Sequence, residues 1–238
     1  MVQKSIKASD VRKALKALEN KEKAKLMAGF FKTGKGEYGE GDVFLGITVP
    51  EQRKIAKQYV NLSIKEVEKL LHSNIHEHRL TALIIWTYQF EKADEETKDK
   101  IYKTYLRNTK YINNWDLVDV TTPRIVGMHL LDKDRKVLYK LAKSKDLWEK
   151  RIAVLATFAF INKRKEFDDA LKISEILLND KHDLIHKAVG WMLREIGKRD
   201  LAAEEKFLKK YHKVMPRTML RYSIEKFDED KRKFYMKK

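Results

Sequence analysis

Helix breakers are almost missing from this chain. Three prolines and nine glycines are spread over 238 residues, and a proline inside a helix costs about 3 kcal/mol. Between these breaks apolar residues recur at spacings of three and four, and the two-residue alternation of a strand is essentially absent, so the pattern predicts an all-α fold. The spacing predicts helices over about 9–19, 21–32, 50–60, 63–71, 75–91, 94–108, 114–129, 132–143, 147–161, 166–178, 183–197, 200–213 and 216–226, with a short segment beyond. Ser9, Ser63, Asn114, Asp146 and Asp183 are the expected caps.

From residue 63 the helices come in pairs divided by short polar breaks. The second member is often the more apolar, as in "RLTALIIWTYQF" and "RIAVLATFAFI". A two-helix period of roughly 35–40 residues marks a HEAT-like α-solenoid, in which each pair buries its face only against its neighbours. A globular helical bundle is the alternative. With 43% hydrophobic residues, the chain can bury one elongated domain or two small ones.

Charge narrows the partner. Lys and Arg number 52 against 35 Asp and Glu, a formal net charge of +17, which suits a polyanion such as nucleic acid or an anionic membrane. Cysteine is absent, so disulfides, thiolate metal sites and cysteine nucleophiles are excluded, as suits a reducing cytoplasm. The start "MVQKSIKASD" lacks an apolar signal core, and the longest apolar runs reach roughly ten residues where a membrane span needs about 20. A soluble intracellular protein with no membrane partner is expected.

Two motif-like stretches carry little. "GKGEYG" fits the dinucleotide fingerprint, but that motif has meaning only between a strand and a helix; a loop whose glycines and lysines approach a phosphate backbone is the better reading. His72, His76 and His78 in "LHSNIHEH" suggest a metal, yet a Ser-Asn break divides them and no carboxylate stands at a metalloprotease spacing, so they are expected to be exposed histidines near helix ends, with no metal bound.

Three other stretches are more informative. In "YINNWDLVDVTTPRIVG" Trp115 and Asp119 are four apart and share one helix face, with Leu117 and Val120 pointing elsewhere. An indole beside a carboxylate makes a small cation receptor; a tryptophan packed at a seam, with Asp119 capping or paired to Arg124, is the plainer alternative. Pro123 is expected to kink this helix or start a new turn. Arg151 opens the almost wholly apolar "RIAVLATFAFI" and needs a partner, either Asp116, Asp119 or another carboxylate, or an external anion. In "IHKAVGWMLREIGK" Ile185, Ala188, Val189, Met192, Leu193 and Ile196 share one face, and Lys187, Trp191, Arg194 and Lys198 the other. The cations suit phosphates, while the indole suits a cation. A negatively charged duplex holding a cationic alkylpurine satisfies both.

The blocks "FLGITVPEQRKIAKQY", "NNWDLVDVTTPRIVG", "DLWEKRIAVLATFAFI" and "LIHKAVGWMLREIGKRD" resemble, in order and spacing, those of the AlkD-type DNA alkylation repair proteins, HEAT-like DNA glycosylases. The resemblance spans nearly the whole chain. It implies a right-handed α-α superhelix with a concave basic face that holds duplex DNA, acts as a monomer without cofactor, and hydrolyses the N-glycosidic bond of N3- and N7-alkylated purines without flipping the base into a pocket. It implies one domain over 1–238: irregular helices and a loop over 1–62, repeats over 63–226, and a short segment over 227–238. Trp115, Asp119 and Trp191 match the family's catalytic positions. Arg151 matches its backbone-binding arginine, and Arg194 falls in the same block as Trp191; with Lys187 and Lys198 these form the expected DNA-binding set. Phe30 stands where the family carries a tyrosine and Thr48 where it carries a glutamine, both on the DNA side, and Asn114 replaces one of an aromatic pair. A noncatalytic HEAT-like protein that recognises DNA structure is the competing expectation.

Overall fold

The computed structural model describes residues 6–237 and is all-α, with no strand among the described residues; the only extended pairing is one parallel bridge, Val43 to Ile75. No helix is long and apolar enough to cross a membrane. The chain divides into two compact units, Met1–Ile125 and Val126–Lys238.

The first unit begins with α1 (Ala8–Lys16), α2 (Lys21–Phe30) and α3 (Val49–Gln58). Two helix pairs follow, α4 (Ile64–Leu71) with α5 (His76–Lys92), then α6 (Glu95–Arg107) with α7 (Trp115–Thr122). Helix α5 is the centre of this unit and packs against α1, α3, α4, α6 and α7. Its sequence is apolar round most of its circumference, so it must be buried; Leu80, Ala82, Leu83, Ile84, Ile85 and Trp86 are all inaccessible to solvent.

The long segment between α2 and α3 is stitched to the start of α5. The buried Glu77 carboxylate accepts the backbone N–H groups of Leu45 (2.9 Å), Gly46 (2.8 Å) and Ile47 (3.2 Å). Gly46 has φ +82°, and a Cβ there would lie 2.2 Å from the Asn20 carbonyl oxygen, so no other residue fits this turn. The "GKGEYG" stretch is a set of turns closed by its own glutamates, Gly34 N–H to Glu37 and Gly36 N–H to Glu40, both 2.8 Å. It lies between helices, without the strand a dinucleotide fold requires.

The second unit is built from pairs: α8 (Lys136–Ala142) with α9 (Leu147–Lys163), α10 (Asp168–Ile176) with α11 (Asp183–Gly197), and α12 (Leu201–Tyr211) with α13 (Arg217–Ser223). The second members pack on one another, α9 on α11 and α11 on α13, while α8 and α10 pack together in the other row. A last helix, α14 (Glu229–Met236), ends the described chain. Every residue of the apolar face expected on α11 is fully buried.

Most helices lie within a few residues of their expected ends. Ser63, Asn114 and Asp146 cap as expected. Two caps differ. Ser9 lies inside α1, which starts after Lys7, where the Asp10 side chain accepts the Lys7 N–H (2.9 Å). Asp183 lies in the first turn of α11, and the cap is His182, whose Nδ1 accepts the Leu184 N–H. The helix expected over 114–129 stops at Thr122 and continues as a π-helical turn over Pro123–Gly127. Pro123 has no N–H to give the Asp119 carbonyl four residues back, so the helix widens there.

Gly190, the glycine of "KAVGW", is where α11 meets α13. A Cβ would stand 2.5 Å from both the Met219 carbonyl oxygen and Tyr222 Cβ. Gly190→Ala therefore lowers the unfolding free energy by about 1–3 kcal/mol despite its better helix propensity, measured by denaturant unfolding; a neutral or stabilising effect would show that the helices can part at no cost.

Candidate active site

Of the four tryptophans, Trp86 and Trp148 are core residues, whereas Trp115 and Trp191 are only half-buried. These are the two that the helical spacing puts off the core.

Trp115 opens α7, with Asp119 one turn further on and half-buried like it. Asn114 caps the helix, its Oδ1 accepting the Trp115 N–H at 2.8 Å. At the other end the Tyr105 phenol, buried and with its pKa pushed up to about 12 chiefly by that burial, hydrogen-bonds the hydroxyls of Thr121 (3.0 Å) and Thr122 (2.8 Å). Both ends of the helix carrying the two side chains are thus tied to the core.

The indole of Trp115 lies in an aromatic assembly that the spacing did not reveal. Phe31 stacks nearly parallel to it, with ring centres 5.2 Å apart, and stacks equally on Phe44 at 5.1 Å. Phe30, last residue of α2 and 66% exposed, meets Trp115 edge-on at 5.8 Å. Such geometries add about 0.5–1.5 kcal/mol per pair beyond burial. Thr48 caps α3, both its N–H (2.8 Å) and its hydroxyl (2.6 Å) donating to Glu51, which holds that carboxyl below its ordinary range.

His76 corrects the expectation of exposed histidines. Only 1% exposed, it donates Nδ1–H to Asp42 (3.0 Å) and Nε2–H to Asp116 (2.8 Å), while its ring packs on Phe44 (4.5 Å) and Phe31 (5.0 Å). Burial pulls its pKa down, but the charge and hydrogen bond of Asp116 and the hydrogen bond of Asp42 outweigh that and push it up to about 9. Asp42 also accepts Arg79 at 2.6 Å. Burial raises its pKa, yet His76 and Arg79 bring it below the ordinary value. His78 has the opposite fate: burial, then the charges of Arg12 and Arg79, take it down to about 4, and it sits beside the Ser73 hydroxyl at 2.9 Å. With both His76 nitrogens committed to carboxylates, the three histidines form no ligand set.

The remaining candidates lie in the second unit. Arg151 on α9 is buried and donates to the Leu184 carbonyl at the start of α11, a backbone partner in addition to the kinds expected for it. Trp191 has Phe158 of α9 at 6.0 Å, tilted by 42°. The cations sharing its helix face are paired: Lys187 with Asp183 (2.7 Å), Arg194 with Glu225, and Lys198 with Glu195 (2.6 Å). Trp115, Asp119, Phe30 and Thr48 belong to one unit, and Arg151, Lys187, Trp191, Arg194 and Lys198 to the other.

The family model for DNA alkylation repair enzymes matches residues 11–227. The chain belongs to that family. DNA is accordingly the substrate the family implies, and alkylation repair the role. Among solved structures it is similar to a predicted DNA alkylation repair enzyme from Enterococcus faecalis, at 19% identity over 89% of this chain and 97% of that one, with a TM-score of 0.69; at that identity the two share the fold. No curated protein matches the chain.

The His76 shift sets a pH dependence. A folded pKa near 9 against an ordinary 6.5 contributes stability fully present below pH 6.5 and lost as pH rises through about 9. The His76 contribution is therefore expected to fall by on the order of 3 kcal/mol between pH 6.5 and 9.5, so that His76→Gln is less stable than the parent at pH 6.5 and falls less steeply across that window, by denaturant unfolding at each pH. Parallel curves for the two would mean that His76 is not the titrating group.

Proposed function

We propose that this family member is a DNA glycosylase that hydrolyses the N-glycosidic bond of cationic N3- and N7-alkylated purines in duplex DNA. The observation that carries the reading is the pairing of an indole face and a carboxylate, Trp115 and Asp119, on the solvent-reaching side of a helix fixed at both ends, in a chain of net charge +17.

Alkylation at N3 or N7 puts a positive charge on the base, so it can depart without a general acid. As the C1′–N9 bond breaks, its electron pair goes to the base, which leaves neutral, and the positive charge passes to the deoxyribose as an oxocarbenium-like centre. A carboxylate and aromatic faces are suited to that charge, since preorganised groups cost no reorganisation as it develops. Asp119 stabilises it and orients the water whose oxygen bonds to C1′, the water's proton passing to solvent. Trp115 offers its face to the same charge, and Trp191 is assigned the same kind of contact.

Phosphates are the task of Arg151, Lys187, Arg194 and Lys198, with Phe30 and Thr48 on the DNA side of the first unit. The ion pairs of Lys187 and Lys198 are partly exposed and worth about 0–1 kcal/mol each, so exchanging a carboxylate for a phosphate costs these side chains little. Nothing in the proposed chemistry requires the target base to leave the stack, because the charge that Asp119 and Trp115 address develops on the sugar.

Incubating the chain with methylated duplex and measuring free 3-methyladenine and 7-methylguanine tests the reading directly. Asp119→Asn should release base about 10²–10³-fold more slowly while binding the duplex within about twofold of the parent. Release at the parental rate would remove Asp119 from the chemistry. Tight binding of methylated duplex with no base released by the parent would instead favour a noncatalytic DNA-structure binder.

A further inference from the structure

An aromatic face stabilises a developing charge only if its plane is held against rotation. Trp115 owes its plane to residues outside α7. Phe31 stacks on it, and Phe31 and Phe44 both lie against the His76 ring. The backbone that carries the indole is gripped from the same place. His76 donates to Asp116, the next residue, and Asp42 accepts from both His76 and Asn114, the preceding one (3.4 Å).

We propose that His76 is the positioning residue of this site: as an imidazolium bridging Asp42 and Asp116, it holds the Asn114–Asp116 turn and the phenyl-indole stack so that Trp115 and Asp119 face the lesion. The proposal rests on the glycosylase reading for its consequence in rate, but not for its structural content. The charged groups facing the ring are Asp42 from the α2–α3 segment, Asp116 from α7 and Arg79 from α5. Together with His76 they make two carboxylates and two cations, a balanced buried set. Loss of the imidazolium proton leaves two carboxylates facing one guanidinium, which loosens the grip on the start of α7 and on the Phe31 stack. His76 touches no DNA in this scheme and acts only through Trp115 and the helix.

The test compares the parent, His76→Gln, Trp115→Ala and the double variant, each shown folded by circular dichroism. Single-turnover release of 3-methyladenine is measured from pH 6.5 to 9.5, with duplex affinity alongside. His76→Gln should slow release at neutral pH by about tenfold or more and leave affinity within about twofold. In the Trp115→Ala background the same change should slow release by clearly less than it does in the parent, because the share of its effect that runs through the indole is already lost. The parental rate should fall toward pH 9, and that limb should vanish in His76→Gln. Parental release by His76→Gln, or effects that multiply in the double variant, would overturn the proposal.

A second measurement separates this from failure of the glycosylase reading. Tryptophan emission of the parent, minus that of Trp115→Ala, should change with a midpoint near pH 9, and the change should be absent in His76→Gln. Asp116→Asn, which keeps a hydrogen-bond acceptor but removes one charge, should move the midpoint toward neutral pH and serves also if His76→Gln does not fold. If the parent releases no base, the glycosylase reading fails, and an emission change of this kind still upholds His76 as the residue that sets Trp115. A Trp115 signal indifferent to pH, or unaltered by Asp116→Asn, would sink the proposal on its own.

Discussion

A charge withdrawn from water is tolerable only beside its opposite or within a shell of hydrogen bonds, and in the first unit four charges are withdrawn together as one set. Asp42, His76, Arg79 and Asp116 are nearly inaccessible to solvent, and their mutual attraction has to offset a desolvation cost of several kcal/mol per ion. Hydrophobic residues of similar volume could fill the same space at no such cost. What the ions contribute is direction. Carboxylates from an irregular segment and from α7 converge on one ring of α5, each taking one of its two nitrogens. Three separate pieces of chain are set against each other by bonds that have an angle as well as a distance.

Helix α7 shows what that direction is for. Its first turn is held through Asn114 and Asp116, its last through the hydroxyls of Thr121 and Thr122 meeting Tyr105. Its side chains of chemical interest, Trp115 and Asp119, lie between these anchors. The π turn follows at once, where Pro123 interrupts the ladder. The second unit positions its own residues by different means. Helix α11 buries a full apolar stripe, approaches α13 through the bare Gly190 backbone, and keeps Lys187, Trp191, Arg194 and Lys198 off the core. The pairing of those cations with carboxylates explains how a chain of such high net charge avoids repelling itself locally, and partly exposed pairs hold their ions loosely.

Much of this was legible in residue order. Helical periodicity located nearly every helix, because the stripe it reports is the stripe that tertiary packing buries. It separated Trp115 and Trp191 from the core for the same reason. The caps at Ser63, Asn114 and Asp146 followed from short polar side chains standing before apolar runs. Ser9 and Asp183 were misplaced by one or two residues, since Asp10 and His182 offered equally good acceptors next door. Of the three histidines His72 is exposed at a helix end, as expected, whereas His76 and His78 are buried. "LHSNIHEH" has the look of a polar helix end, and nothing local says that Asp42, some 34 positions earlier, and Asp116, 40 later, come to lie on either side of one imidazole.

By itself, then, residue order determined an all-α chain, its helix boundaries to within a few residues, its buried faces and its positive charge, properties that reside in spacing and composition, while its motif blocks carried the resemblance to its family. Tertiary structure alone decided the protonation of His76 and His78, the Leu184 carbonyl as a partner of Arg151, the stack of Phe31 on Trp115 and the pairing of Arg194 with Glu225. Each of these depends on distances between groups far apart along the chain. A pKa or a ring stack is fixed by a few ångströms of separation, which one-dimensional order leaves undefined until the helices have packed.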